Sequence, residues 1–311
     1  MRVIASLVGV FLALPAAAQM ASPSPGSPSA VLPEIVNLAE PPAANGIDAV
    51  NEANPAARPS GDDTRPAAPG ASSSPTPPTA KNVVPKDLLT KVNELVGRRE
   101  FDKAIAAITE ALAADGHNAE LYRLRASTQC RAARIKLCLD DAGKAVEADN
   151  TYMPAYLLRG LARIDAGQAK DAVADCETVI QTWGDRPFGY NCRGLAQRAL
   201  RNFTEAMADF DVAVSKDPKF ALAHFNKGVT YMLQNKPDEA IASLSTAISI
   251  NQRYDDALAQ RGRARMLKGD AVSAREDFSK ALSLNPSNAP AAVGIQALQV
   301  AKALDALTTK N

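Results

Sequence analysis

A small residue, most often glycine, recurs every 34 residues along this chain. The column consists of Val92, Ala126, Gly160, Gly194, Gly228 and Gly262. A strict period of this length is typical of an array in which one small structural unit is repeated. Phasing the chain on the column gives six repeats without gaps, at residues 85–118, 119–152, 153–186, 187–220, 221–254 and 255–288.

Each repeat has the pattern of two helices joined by a short turn. In the fifth repeat the apolar spacing predicts a first helix from Ala221 to Gln234 and a second helix from Asp238 to Ile250. Pro237 lies between them and suits the first turn of a helix. An Asp-Pro and an Asn-Pro pair close two of the repeats, because the residue before a proline avoids the helical conformation. The predicted fold class is all-α.

A glycine inside a helix costs about 1 kcal/mol relative to alanine, so the glycine column needs a reason in the packing. Twelve residues after the column stands a first set of small residues, and seven residues further stands a second. The first set is Ala104, Cys138, Ala172, Ala206, Ala240 and Ala274, and the second is Ala111, Ala145, Val179, Ala213, Ala247 and Ala281. We predict that the first set packs against the glycine column within a hairpin and that the second contacts the next repeat.

The period, the glycine column and both small columns resemble the tetratricopeptide repeat family. Further matches are Tyr122, Tyr156 and Tyr190 before the column, Tyr231 after it, Phe210 and Phe278 on second helices, and the closing Pro218 and Pro286. The resemblance covers residues 85–288, and it departs from the family pattern at Val92, Ala126 and Cys138. It implies a right-handed superhelical solenoid of helical hairpins whose first helices line a concave binding groove.

The two ends of the chain have different patterns. Residues 1–18 have a short basic start, an apolar run and a small-residue site, which predicts a secretory signal cleaved before Gln19 and export to the periplasm. If the signal were retained, it would be a membrane anchor. Residues 19–84 hold 13 of the 21 prolines and few large apolar residues, so we predict a disordered segment. Residues 289–307 carry helical spacing and are predicted to cap the last repeat.

Charge and motif content argue against several functional classes. The net charge is +1, which gives no electrostatic case for binding nucleic acid. The chain has two histidines, no set of histidine and cysteine with metal-ligand spacing, and no phosphate-binding or nucleophile motif. The sequence therefore predicts a protein that is not an enzyme and that needs no cofactor and no metal.

A basic column precedes the glycine column, and it has two interpretations. Wherever this column holds arginine, an aspartate follows 16 residues later, and wherever it holds lysine the aspartate is missing. The four pairs are Arg125 with Asp141, Arg159 with Asp175, Arg193 with Asp209, and Arg261 with Asp277. The joint occurrence favours structural ion pairs inside each hairpin, since an arginine fork suits a carboxylate. The alternative is a basic stripe that binds a ligand.

The resemblance places the first helices along the groove, and their residues are mostly apolar. The candidate groove residues are Leu157, Leu158, Leu161, Phe188, Asn191, Leu195, Leu222, Phe225, Asn226, Val229, Met232 and Met266. An apolar lining with two amides favours an apolar or extended peptide partner, because an amide both donates to and accepts from a backbone. The alternative is that many of these residues belong to the core of the hairpins.

Four cysteines in an exported chain favour disulfides. Within the repeat pattern, Cys130 and Cys138 face each other across the turn of the second repeat. Cys176 lies on the second helix of the third repeat and Cys192 on the first helix of the fourth, which should pack against it. These positions predict the pairs Cys130–Cys138 and Cys176–Cys192. The alternative is that all four are small core residues.

These observations favour a non-enzymatic scaffold or adaptor that binds a protein or peptide segment in the groove. A second hypothesis is a structural module that self-associates and uses the groove to hold its own tail. A third is a carbohydrate or cell-wall binder, which would need exposed aromatic residues in the groove.

Overall fold

The computed structural model describes residues 82–308, with side chains to residue 303. The predicted signal at residues 1–18 and most of the predicted disordered segment lie outside the described residues. The described chain begins three residues before the first repeat. Asn82, predicted to belong to that segment, is buried and bonds to the second repeat and to the turn before the third, so the packed chain starts earlier than predicted.

Thirteen helices and no strands make up the described part of the chain. The helices are α1 (Lys86–Gly97), α2 (Phe101–Ala114), α3 (Ala119–Arg131), α4 (Ile135–Ala148), α5 (Met153–Asp165), α6 (Ala169–Trp183), α7 (Phe188–Ala199), α8 (Phe203–Lys216), α9 (Ala221–Leu233), α10 (Pro237–Ile250), α11 (Asp255–Leu267), α12 (Ala271–Leu284) and α13 (Ala289–Thr308). Successive pairs form the six predicted hairpins, and α13 packs on α11 and α12 as the closing helix. The fold is an all-α solenoid.

Every hairpin turns through a residue with positive φ at the same position of the repeat. These residues are Arg99, Ala133, Gly167, Arg201, Asn235 and Gly269, with φ between 56° and 82°. At Gly167 the turn is closed by two backbone bonds, from Gly167 N to Ile164 O at 3.0 Å and from Gln168 N to Arg163 O at 2.7 Å. This is the hydrogen-bond pattern that commonly ends an α-helix with one left-handed residue.

The glycine column makes room for a large side chain in addition to the small residue predicted to meet it, since a Cβ at Gly228 would lie 3.3 Å from Ala240 O. A Cβ placed at Gly194 or Gly262 would lie 2.6 or 2.7 Å from the ring of Phe210 or Phe278. At Gly228 it would lie 2.6 Å from Leu244 Cγ. These residues stand 16 positions after the glycine, one helical turn beyond the small residues predicted to meet it. The small column leaves the backbones close, while the next turn fills the gap.

The second small column does lie against the following repeat. A Cβ at Gly189 on α7 would be 3.2 Å from Val179 Cγ1 on α6. Ala145 on α4 likewise shares a buried cluster with Ala155 on α5. Small residues at these positions let one hairpin approach the next, and the first helices of successive repeats become neighbours from α3 to α11.

Candidate functional site: the first-helix face

The face built by α3, α5, α7, α9 and α11 is the surface to which the sequence assigned binding. Nine of the twelve candidate residues on it are buried. They are Leu157, Leu158, Leu161, Asn191, Leu195, Leu222, Phe225, Asn226 and Val229. Their assignment to an open groove is therefore wrong for this arrangement, because the apolar ones pack in the buried clusters, as in the alternative that places them in the core of the hairpins. Phe188, Met232 and Met266 keep part of their surface exposed.

Two amides were predicted to contact a bound peptide. In the structure they form a hydrogen bond with each other instead. Asn226 Nδ2 on α9 donates to Asn191 Oδ1 on α7 at 2.9 Å. Arg198 Nη1 on α7 donates to Asn226 Oδ1 at 3.3 Å. Arg198 is only 7% exposed, and burial lowers its pKa to about 10. This chain of polar contacts joins α7 to α9.

A second buried polar group lies at the other end of the face, and sequence reasoning missed it. Arg123 on α3 donates through Nε and Nη2 to the carboxylate of Glu120, both at 2.6 Å, and Tyr152 OH donates to the same carboxylate. Burial opposes the charge of Arg123, but Glu120 outweighs it and the pKa of Arg123 is raised. Arg123 occupies the repeat position of Leu157, Asn191 and Phe225. A charged residue in this mostly apolar column was the sequence signal that could have predicted a buried ion pair.

An apolar patch remains exposed at the C-terminal ends of α9 and α11. Leu233 is 47% exposed and Leu267 43%, at equivalent positions of two first helices that contact each other. Met232 and Met266 precede them, pack partly on the core and keep part of their surface open. We call Met232, Leu233, Met266 and Leu267 the methionine–leucine patch. Met232 is equivalent to Met266 in the repeat, and Leu233 is equivalent to Leu267. The patch therefore runs across two repeats rather than along one helix.

Each arginine of the basic column contacts the aspartate 16 residues later in its own hairpin. Arg125 donates to Asp141 through Nε at 2.6 Å and Nη2 at 2.8 Å. The equivalent forks join Arg159 to Asp175, Arg193 to Asp209, and Arg261 to Asp277. The aspartates are buried, and the guanidinium forks are occupied within the hairpins.

The structure pairs the four cysteines as the sequence predicted. Cys130 and Cys138 join α3 to α4 with Cα atoms 5.2 Å apart, and Cys176 and Cys192 join α6 to α7 with Cα atoms 5.6 Å apart. All four are buried. In the third repeat the glycine column meets this second bond, since a Cβ at Gly160 would lie 3.1 Å from Cys192 Sγ.

Residues 82–308 lack two features that would indicate other functions. No group of three or more histidine, cysteine or acidic side chains there is placed to hold a metal ion. No helix in that range is both long and apolar enough to cross a bilayer.

Comparisons with known proteins agree with this architecture. Residues 221–254 and 89–133 match family models described as tetratricopeptide repeat, and neither indicates an enzymatic family. Comparison with curated protein sequences gave no match. Both repeat matches support the tetratricopeptide repeat assignment.

Solved structures show the same fold. A tetratricopeptide repeat protein from Parabacteroides merdae ATCC 43184 is 17% identical, over 69% of this chain and 83% of that chain, with a TM-score of 0.60. PilW, described as a widely conserved type IV pilus biogenesis factor, is 16% identical over 68% of this chain and all of its own, with a TM-score of 0.54. A chain of the APC/C hetero-tetramer Cut9-Hcn1 is 15% identical over 70% of this chain and 46% of its own, with a TM-score of 0.54. At these identities the likeness concerns the fold alone.

Proposed function

We propose that this tetratricopeptide-repeat solenoid is a non-enzymatic scaffold that binds a protein or peptide segment on its first-helix face. The methionine–leucine patch is the observation that carries the proposal. Repeat solenoids use extended faces of this kind to hold partners. Contiguous exposed apolar side chains on a folded surface mark contact sites, whereas singly scattered ones are ordinary.

The composition of the patch indicates the kind of partner. Methionine is unbranched and adapts to irregular apolar surfaces, and the two leucines offer fixed anchors one repeat apart. Adjacent helices lie about 8–10 Å apart, which is close to the spacing of about 11 Å between two apolar side chains two turns apart on a helix. A segment with two apolar anchors at that spacing therefore fits the patch.

Leu233 and Leu137 provide a matched pair for testing the proposal. Leu137 lies on the second helix α4 and is 48% exposed, nearly the same as Leu233 at 47%. A photo-crosslinking residue at position 233, introduced into the exported protein in its native cell envelope, should give one dominant adduct with a defined partner. The same residue at position 137 should not give it. Equal crosslinking from both positions would contradict a site on the first-helix face.

The partner then tests the anchors directly. Leu233→Lys should weaken its binding about tenfold, since leaving about half a leucine unburied forfeits roughly 1.4 kcal/mol. Leu137→Lys should leave both affinity and melting temperature unchanged. An adduct that is a second copy of the chain would favour the self-association hypothesis, and light scattering of the purified protein would decide it.

The place of action is part of the same proposal. Two disulfides fit an oxidising compartment, because cytosolic thiols are kept reduced. We therefore place the protein outside the cytosol, in the periplasm. Fractionation of cells with labelling of free thiols tests this, and reactive cysteines in a cytosolic protein would contradict it.

A further inference from the structure

Three aromatic side chains form a row along the edge where the first helices begin. Trp183 ends α6, Phe188 begins α7 and Phe220 precedes α9. The Trp183 and Phe188 ring centroids are 6.5 Å apart, and those of Phe188 and Phe220 are 5.6 Å apart, both edge to face. Each ring keeps part of its surface exposed. We call these three residues the aromatic row.

Packing between repeats explains only the inner side of the row. Trp183 and Phe188 rest on a buried cluster that contains Met153, Leu157 and Cys192. The Arg186 guanidinium carbon lies 4.8 Å from the Trp183 ring centroid. The outer surfaces of three successive rings are left at the edge, and they span two neighbouring repeats.

The chain just before α1 is held near the edge where the second and third repeats begin. Asn82 Oδ1 accepts from Ala119 N at the start of α3 at 3.1 Å, and Asn82 Nδ2 donates to Asp149 Oδ2 at 2.7 Å. Asp149 follows α4 and stands four residues before Met153, which packs with Trp183 and Phe188. Asn82 therefore lies between the start of the second repeat and the turn that precedes the third.

The chain just before Asn82 is rich in proline, and proline-rich segments bind to exposed aromatic side chains. Residues 75–78 read Pro-Thr-Pro-Pro and stand four to seven residues before Asn82. Proline-rich segments adopt an extended helix with little entropy to lose, and they dock between aromatic rings. At about 3.1 Å per residue, an extended chain from Asn82 back to these residues would span about 12–22 Å. That is one to two helix spacings of about 10 Å, which is enough to reach the first helix of the next repeat.

We propose that residues 75–78 dock on the aromatic row of the same chain. Residues 75–78 are then held along the edge where the first helices begin. The methionine–leucine patch, at the other ends of these helices, stays free for a partner. This docking does not depend on the proposed function, since its test uses no external partner.

Trp183 is the only tryptophan in the chain, so its fluorescence reports on the row directly. We compare acrylamide quenching of the full exported protein with a variant in which Pro75, Pro77 and Pro78 are serine. Exposure of the ring should raise the quenching constant about twofold and shift its emission to the red, because an aromatic dock loses its cover. The matched control changes Pro23, Pro25 and Pro28 to serine and should leave both signals unchanged.

A peptide of residues 70–84 provides the second measurement. Added to the variant with altered Pro75, Pro77 and Pro78, it should restore the wild-type quenching constant. Equal quenching in the wild type and that variant, or no effect of the peptide, would overturn the proposal. Loss of protection on dilution of the wild type would show that a second copy supplies the segment, and would overturn docking within one chain.

Discussion

Replacing Gly262 by alanine tests whether the glycine column exists to admit a large side chain. The added Cβ would lie 2.7 Å from Cε1 and 2.9 Å from Cδ1 of Phe278. Apolar carbons prefer about 3.5–4.0 Å, so the ring would have to move by about 1 Å. The capping helix blocks its retreat, since a Cβ at Gly294 would lie 2.3 Å from Phe278 Cζ. The ring is held between two backbones.

The expected cost follows from two opposing effects. Alanine favours the helix by about 1 kcal/mol over glycine, and overpacking a rigid core costs about 1–3 kcal/mol. We expect a net destabilisation of about 1 kcal/mol, which would lower the melting temperature by about 2–4 °C for a domain of this size. Gly143→Ala is the control, because Gly143 lies inside α4 with nothing within 4 Å of the new Cβ. That variant should gain about 1 kcal/mol.

Thermal and urea unfolding followed by circular dichroism measure both variants. Opposite signs for the same substitution would support the close approach of Gly262 to Phe278. If Gly262→Ala stabilised the protein as much as Gly143→Ala, the ring would have room to move and the packing reason for the column would be refuted.

Three other perturbations have signs fixed by the structure. Gly167→Ala should destabilise by about 1–2 kcal/mol, because φ is +76° in the turn after α5; chemical denaturation measures it, and no change would contradict the strain. Replacing Cys176 and Cys192 together by serine should destabilise by about 3 kcal/mol, as expected for opening a loop of this length, and reductant should then affect the variant less than the wild type. Burial, and then Asp255, raise the pKa of Asp256 to about 6. The folded protein therefore holds this proton more tightly than the unfolded chain, and Asp256 makes the free energy of unfolding fall as pH rises from about 4 to about 6. Asp256→Asn should remove this contribution from the pH profile, and an unchanged profile would contradict it.

The helices could be predicted closely because their signals are local. In the fifth repeat the sequence placed the first helix at 221–234 and the second at 238–250, and the structure has Ala221–Leu233 and Pro237–Ile250. Apolar spacing and a proline determine where these helices begin and end, and both signals lie within a few residues of the helix ends. The turn conformation was not predicted, because arginine, alanine, asparagine and glycine all occupy the same positive-φ position. Closure of the hairpin imposes that conformation on whichever residue is there.

Exposure on the first-helix face could not be predicted from the columns. Phe225 and Met232 both lie on α9 and both are apolar, yet Phe225 is buried and Met232 keeps open surface. Phe225 packs on Tyr254, with ring centroids 5.0 Å apart, and this contact joins residues that are distant in the sequence. Asn191 and Asn226 illustrate the same limit, since Asn226 donates to Asn191 from the next repeat.

Among the described residues, the one disulfide that crosses a repeat boundary lies in the middle of the array. An array of repeats is held mainly by contacts between neighbours, so any bond that crosses a repeat boundary raises its cooperativity locally. The bond from Asn82 to Asp149 ties the start of the described chain to the end of the second repeat, and Cys176–Cys192 ties the third repeat to the fourth. Beyond the fourth repeat the described residues hold no disulfide, and polar contacts such as those from Arg261 to Ser245 and from Lys268 to Asp238 join the fifth and sixth repeats. The methionine–leucine patch lies in this second part, where adjustment between neighbouring hairpins would disturb no covalent link. If the proposed partner reshapes its binding face on contact, we therefore expect the change in repeats five and six, which carry the methionine–leucine patch.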